Sequence, residues 1–434
     1  MDSSVATPTE TGEPAWLVER RAAAVDAAKE LALPGPKTRG WEFNDLSGLD
    51  LSAYDPAEPG DIAAAEAASA RLAVPEGSAG LIQVDGAVVS GAGAETGGTD
   101  DRKRPDAPVV MPLSEGVERF GDLVRERLGT IVEAGNDPFV AINDAGWSGG
   151  ALIYVPAGTR FDAPIALTAV QQESGRTLNW RTLIVLEEGA EAEVWERYVS
   201  ADDQVDAMFN GVTELIVGPN ASLRYICGQD LSPSSWAFAS QRAEVERDGS
   251  LEWVALGFGS ARGKIRMETK LAGRGASAKV TGAYAGTGRQ HLDYDTTQEH
   301  AAEDTFSDLS FRGVLAGRST AVWRGMINVD EGAQRTDAFQ DCRNLLLSSK
   351  AHADAIPGLQ IEADDVACTH AAAVAQVDPE QLFYLTSRGL DSSIAKSLVI
   401  EGFLAELVER VPEGAVADAL SEALSARLAE LLAP

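Results

Sequence analysis

A short turn motif recurs along the middle of this chain, and it restricts the fold more than any other feature. Its copies read LEEGAEAEV (Leu186–Val194), VGPNASLRY (Val217–Tyr225), VERDGSLEW (Val245–Trp253), LAGRGASAKV (Leu271–Val280) and LAGRSTAVW (Leu315–Trp323). Each is an apolar strand end, a turn of Gly, Asn, Asp or Arg, a small residue, then alternating apolar positions. The first four turns sit about 26–31 residues apart, and a turn at a fixed period of this size is the mark of a solenoid. One coil cannot bury its inner face alone, so coils must stack. No helical pattern interrupts the strands, which argues against βαβ units. A β-sandwich is the second architecture that this pattern allows.

The repeat divides the chain into three parts. Residues 1–148 are expected to form a mixed, mainly helical domain, with residues 1–14 as a disordered tail. Trp16–Leu33 carries apolar residues at helical spacing and is stopped by Pro34-Gly35-Pro36. Asp61–Ala73 suggests a short helix, and Gly80–Ser90 a hairpin turning at Asp85-Gly86. Gly91–Pro108 reads as a mobile loop. Ser114 is placed to cap a helix running to Leu128, and Asp137–Asn143 would either continue that helix or begin a strand. Residues 149–377 form the β core. Residues 378–434 return to helix: Asp378 and Pro379 open one that Gly389 closes, and Asp391 caps the next. Ile394, Leu398, Phe403, Leu404, Leu407, Val408 and Val411 leave an apolar stripe on that second helix. Pro412 breaks it, and Ala415–Leu432 is a last amphipathic helix.

Composition removes several classes of function. A length of 434 residues allows roughly two or three domains. A formal net charge of −31 argues against nucleic acid and against anionic membrane surfaces. The three cysteines, Cys227, Cys342 and Cys368, are odd in number and widely spread, which suits a reducing cytoplasm rather than a disulfide framework. The polar, acidic start lacks the basic and apolar regions of a signal peptide. No apolar run is long enough for a transmembrane helix.

Local motifs are mostly accidental. Gly146-Trp147-Ser148-Gly149-Gly150 has the order of a nucleophile elbow, but the strand-like ALIYVP follows where a helix is required. The glycine-rich Gly282–Gly288 lacks the dinucleotide order, and no phosphate-binding P-loop is present. His291 and His300, with Asp293, Asp295 and Asp308 nearby, could hold a divalent metal or could be structural. His352 reads as a surface turn residue, Cys227 as core, and Cys342 as core or a second thiol near a site. Parallel β-helices also house polysaccharide lyases and hydrolases that use carboxylate pairs. No carboxylate ladder aligns between these coils.

The stretch Ala363–Gly389 stands apart. It places a thiol, Cys368, two residues from an imidazole, His370, in a strand-like segment. Residues i and i+2 of a strand share a face, so the two would project together, about 7 Å apart along the strand. A thiolate and a neutral imidazole suit zinc, copper or iron–sulfur chemistry. Two ligands do not close a site, so others would come from elsewhere in the fold or from a partner. The competing reading is a half-buried thiol beside an unrelated surface imidazole.

Several segments, in order, resemble the SufB–SufD family of iron–sulfur cluster assembly proteins. They are YVPAGTRFDAPI (Tyr154–Ile165), TDAFQDCRNLLL (Thr336–Leu347), RNLLLSSKAHAD (Arg343–Asp354), the ADDVACTH run, LFYLTSRG (Leu382–Gly389) and IAKSLVIEGFLAELVERV (Ile394–Val411). Together they cover roughly Ile153–Val411. The chain resembles the SufD-like branch: where SufB-like chains carry their proposed ligand cysteine, this one has Leu385, and it has the Cys-x-His spacing of SufD-like chains. The resemblance implies a right-handed parallel β-helix, or a flattened coil, flanked by helical segments. It implies a non-catalytic scaffold in a cytoplasmic assembly complex. A SufB-like subunit would pair through the last strands of both β-helices, and SufC-like ABC-type ATPases would dock on the C-terminal helices. A homodimer when the chain is alone is also allowed. A transient iron–sulfur cluster would form between a thiolate of the SufB-like partner and His370, with Cys368 as a further iron or sulfur contact. The chain itself would bind no nucleotide. The rival readings are a SufB-like scaffold that holds a cluster alone and a β-helix carbohydrate-active enzyme.

Overall fold

In the computed structural model, residues 12–61, 63–65, 74–75, 77–92 and 105–432 are described. Most of the expected N-terminal tail, of the Asp61–Ala73 helix and of the Gly91–Pro108 loop lies outside them.

The chain opens with α1 (Ala15–Glu30), β1 (Asp55–Pro56), the hairpin β2 (Ala79–Val84) and β3 (Ala87–Ala92), and β4 (Val109–Pro112). Three short helices follow: α2 (Leu113–Arg119), α3 (Gly121–Arg127) and α4 (Pro138–Gly146). Then come sixteen strands with no helix between them. They are β5 (Gly149–Val155), β6 (Ile165–Gln171), β7 (Arg176–Leu186), β8 (Glu191–Ser200), β9 (Met208–Val217), β10 (Ser222–Asp230), β11 (Trp236–Val245) and β12 (Ser250–Gly257). They continue as β13 (Arg262–Leu271), β14 (Ser277–Gly286), β15 (His291–His300), β16 (Phe306–Leu315), β17 (Thr320–Val329), β18 (Thr336–Leu346), β19 (His352–Ile361) and β20 (Val366–Gln376). The end is helical: α5 (Pro379–Ser387), α6 (Ser392–Val408) and α7 (Ala415–Leu432).

Within β5–β20, odd-numbered strands pair only with odd and even only with even, all in parallel. That is a two-faced solenoid of eight coils, β5–β6 through β19–β20. β4 extends the odd sheet and β2–β3 the even sheet at its first end. The interior is filled by Trp180, Trp253, Trp323, Phe209 and Phe311, all nearly inaccessible. Burying side chains of this size contributes on the order of 1.5–3 kcal/mol each.

The recurring turn of the sequence is a physical ladder. Gly189, Asn220, Asp248, Gly275, Asp304 and Arg335 occupy the same corner of successive coils, each with φ between 56° and 76°. The amide of each donates to a carbonyl of the following coil's turn, Asn220 to Arg247 at 2.8 Å and Asp304 to Gln334 at 3.0 Å among them. The left-handed conformation explains the Gly, Asn and Asp of the motif. One expectation is corrected here. The echo at Leu315–Trp323 joins β16 to β17 and so lies on the opposite edge, where Gly317 (φ 62°) stacks on Gly288 (φ 57°). The true fifth and sixth rungs, Asp304 and Arg335, have no glycine within two residues of the left-handed position and escape the pattern.

The N-terminal helices cover the odd sheet. Arg181 and Glu214, both fully buried, meet at 2.6 Å beneath them. Glu214 also accepts from the amides of Gly129, Ile131 and Val132. α6 and α7 cover the even sheet, setting Ile400, Leu404, Leu407 and Leu420 against Ile226, Val254 and Leu256. Helix boundaries differ from expectation at several points. Ser114 caps nothing: strand pairing of β4 runs to Pro112, so the helix starts at once at Leu113 and breaks at Phe120. Asp137 neither continues that helix nor starts a strand; it caps α4 through the amides of Phe139 and Val140. α1 ends at Glu30, ahead of the proline pair, with Leu31 already extended. The hairpin turns at Asp85 and Gly86 as expected, both with positive φ.

Candidate functional site

Cys368 and His370 lie on β20, the last strand of the even sheet. Their direction follows from the register. Ala338 and Gln340 of β18 are buried and face the solenoid interior, and they pair with Cys368 and His370. Both side chains of β20 therefore point inward. On β19, Leu359 and Ile361 pair with the buried Ile327 and Val329, so they point inward too.

No ninth coil stacks on this one among the described residues. The inward set of the last coil thus meets solvent instead of a neighbour. Leu359, Ile361 and Val374 are 37%, 40% and 44% exposed, and His370 is exposed. Cys368 is half-buried against Ile327, Val329 and Ala338. Burial, followed by the negative charge of Asp337, pushes its thiol pKa up. In the free chain it is a protonated thiol, and a metal or a partner's positive charge is needed to draw the thiolate out. Beneath His370, Gln340 donates through Nε2 to the carbonyls of Gly358 at 3.0 Å and Gly325 at 3.4 Å. It ties the two sheets together across the interior and forms the floor of the site.

The other ligand-type residues are elsewhere. His291 and His300 mark the two ends of β15, about 30 Å apart at strand rise. His291 is bonded to Thr320 at 2.7 Å, and His300 to Thr305 and Ser307 at 2.8 Å each. Cys227 and Cys342 are sealed in the interior, where burial pushes both thiols up to about 12. His352 is exposed, as expected, but begins β19 instead of sitting in a turn, and it meets Asp354 at 3.1 Å. No cluster of three or more His, Cys, Asp or Glu able to hold a metal occurs among the described residues. Cys368 and His370 are therefore part of a site, facing a surface that other ligands could reach.

Sequence reasoning missed two features. The open rim of Leu359, Ile361 and Val374 depends on the register that turns these side chains inward on the last coil, and periodicity alone does not give that register. The second is on the C-terminal helices. Ile394 and Leu398 were expected to share the packed stripe of α6, but they are 52% and 45% exposed, while Ala395, Ile400, Leu404 and Leu407 are buried. With Phe383 and Tyr384 of α5, at 74% and 58%, they leave apolar groups facing solvent beside the last coil. Leu385, at the position of the SufB-like thiol, is half-buried on α5.

Comparison with known proteins agrees with this architecture. The family model described as "SUF system FeS cluster assembly, SufBD core domain" matches residues 168–403. The iron–sulfur cluster assembly protein SufD of Bacillus subtilis is 29% identical over 424 residues, covering 92% of this chain and 91% of its own length. A SufBD family protein of Synechocystis is 27% identical over 425 residues, covering 96% of this chain and 92% of its own. One of Staphylococcus epidermidis is 29% identical over 293 residues, 67% of this chain and 63% of its own. No helix among the described residues is long and apolar enough to cross a membrane. With the matched core spanning more than half of its length, this chain belongs to the SufBD family of iron–sulfur cluster assembly proteins.

Proposed function

We propose that this chain is the SufD-like, non-catalytic scaffold subunit of a cytoplasmic SUF assembly complex. The observation that carries this reading is the open last coil. A thiol and an imidazole face inward there, inside an exposed apolar rim, on strands that have no further neighbour among the described residues. A SufB-like subunit docked on that end would cover Leu359, Ile361 and Val374. It would also bring its own ligands up to His370 and Cys368. Residues 378–434 act as the docking domain for a SufC-like ATPase, through the apolar groups left exposed on α5 and α6.

The residue types suit a cluster that is cargo and must be released. An imidazole in place of a thiolate lowers the negative charge around the iron and makes a weaker, pH-sensitive ligand. His370 is the first ligand and Cys368 the second, because the thiol must lose its proton before it can bind. Leu385 supplies no ligand, so the isolated chain should not retain a stable cluster.

Co-expression with SufB-like and SufC-like partners, with measurement of co-purification, bound iron and sulfide, tests the reading. The expected result is a three-component complex whose cluster content collapses in His370→Ala while the chain's melting temperature is unchanged. Undiminished assembly in His370→Ala would remove that residue from the site. A stoichiometric cluster on the isolated chain would favour a SufB-like scaffold instead.

A further inference from the structure

The edge of the solenoid opposite the turn ladder carries a regular row of cations. Three successive connections on that edge share one geometry. In Thr287–Gln290, Ala316–Ser319 and Ser348–Ala351 the fourth amide donates to the first carbonyl, at 3.1, 3.2 and 3.2 Å. The third residue of each turn is basic: Arg289, Arg318 and Lys350. Backbone bonds stack the turns on one another. The amide of Arg318 donates to the carbonyl of Gly288 at 2.8 Å, that of Thr320 to Gln290 at 2.9 Å, and that of His352 to Ser319 at 3.1 Å. The three cations therefore repeat at the strand spacing of about 4.8 Å, and the row spans about 10 Å.

All three residues are exposed, and among the described residues none of their side chains makes an ion pair or a hydrogen bond. That sets them apart in a chain with 67 acidic and 36 basic residues. Arginines on the other faces meet two carboxylates each: Arg224 meets Glu193 and Glu252, Arg242 meets Glu268 and Glu299, and Arg335 meets Glu303 and Asp304. A row of like charges repels itself and gains from an anion laid along it. The same edge shows what kind of anion suits it. Arg262 opens β13, one coil before Arg289, and meets the carboxylate of Asp45 at 3.9 Å and its carbonyl at 3.4 Å. At that coil an acidic segment of polypeptide covers the edge. At the next three coils none of the described residues does.

We propose that Arg289, Arg318 and Lys350 form a docking edge for an acidic α-helix of a partner polypeptide. Carboxylates at i, i+3 and i+7 share one face of a helix and span about 10.5 Å at a rise of about 1.5 Å per residue. That length matches the row. The net charge of −31 repels anions from the rest of the surface, so the attraction is confined to this edge and is screened by salt. The edge is distinct from the open last coil and from the exposed apolar groups of α5 and α6, and the proposal depends on neither.

The test uses the full chain and two fluorescein-labelled, alanine-based helical peptides of equal composition. One carries glutamates on a single face at i, i+3 and i+7, and the other has them spread around the helix. Fluorescence anisotropy measures binding at low salt. The single-face peptide should bind wild type, and combining Arg289→Gln, Arg318→Gln and Lys350→Gln should weaken it about tenfold or more at an unchanged melting temperature. Each single change should weaken it about two- to threefold. The spread peptide should bind wild type no better than the triple variant binds the single-face peptide. Three results overturn the docking edge: no binding to wild type, equal binding by wild type and the triple variant, or equal binding of the two peptides. Displacement of the single-face peptide by tripolyphosphate or by phosphatidylglycerol vesicles at equal charge assigns the row to phosphate and overturns it as well.

Discussion

Both ring nitrogens of His300 are bonded to hydroxyls, and the side chain is inaccessible, with burial pushing its pKa down to about 4. The unfolded chain takes up that proton near pH 6.5, and the folded chain resists it until about pH 4. Stability is therefore full above pH 6.5 and falls as the pH drops through this window, by about 3 kcal/mol in all. Denaturant midpoints measured from pH 7 to pH 4 should show that slope, and His300→Asn should flatten it. Arg181 and Glu214 set another limit. Glu214→Ala leaves a buried guanidinium with only the longer contacts to Asn143 at 3.5 Å and Asp144 at 3.6 Å, and three backbone amides without that acceptor. The expected loss is about 3–5 kcal/mol in the same unfolding experiment. At this scale the site was partly legible. Cys368 and His370 share a face because strand geometry has a period of two, and that rule needs only the sequence. Gln340 was not legible, since its role comes from contacts with Gly325 and Gly358, whose positions beneath it only the coiled topology sets.

Strands and turns were easier to read than helices, because the turn ladder repeats one backbone problem at every coil. Where a glycine stood at or within two residues of the left-handed position, as at Gly189, Asn220, Asp248 and Gly275, the motif was visible. Where Asp304 and Arg335 solved it, the side chains gained ion pairs to each other, 2.5 Å between Nε and Oδ1, and the signal vanished. Asp248 (φ 56°) offers a direct test. Asp248→Gly should melt within a degree or two of wild type, whereas Asp248→Val should lose about 1–2 kcal/mol, because a β-branched side chain resists the left-handed region. Helix ends were harder. Ser114 had the residue type of a cap, but the pairing of β4 with β5 decided where the strand stopped. Likewise the stripe on α6 was correct in kind and rotated in fact, with Glu406 of that helix turned to Arg312 and Arg343 of the sheet. Local patterns record what each element prefers, and tertiary contacts choose among the preferences.

For the molecule as a whole, asymmetry of the two ends is the main result. The first end is closed by β2, β3 and β4, while among the described residues nothing covers the inward face of the last coil. Leu359→Glu with Val374→Glu places charges only on that open face. The variant should fold with an unchanged melting temperature, lose co-purification with a SufB-like subunit, and remain more soluble at high concentration. Retained pairing would move the interface elsewhere. The solenoid itself was foreseeable from the period of the turns, and the helix signals at Asp378 and Pro379 marked where it stops, but the uncovered inward face of its last coil was not legible. That stopping point has a consequence for change over time. An interior coil supports two neighbours, so a substitution there is felt on both sides. The last coil supports one. Residues such as His370 and Cys368 can be exchanged for other ligands with little risk to the structure behind them, so selection is free to experiment with chemistry at the end of the stack while the remainder stays fixed.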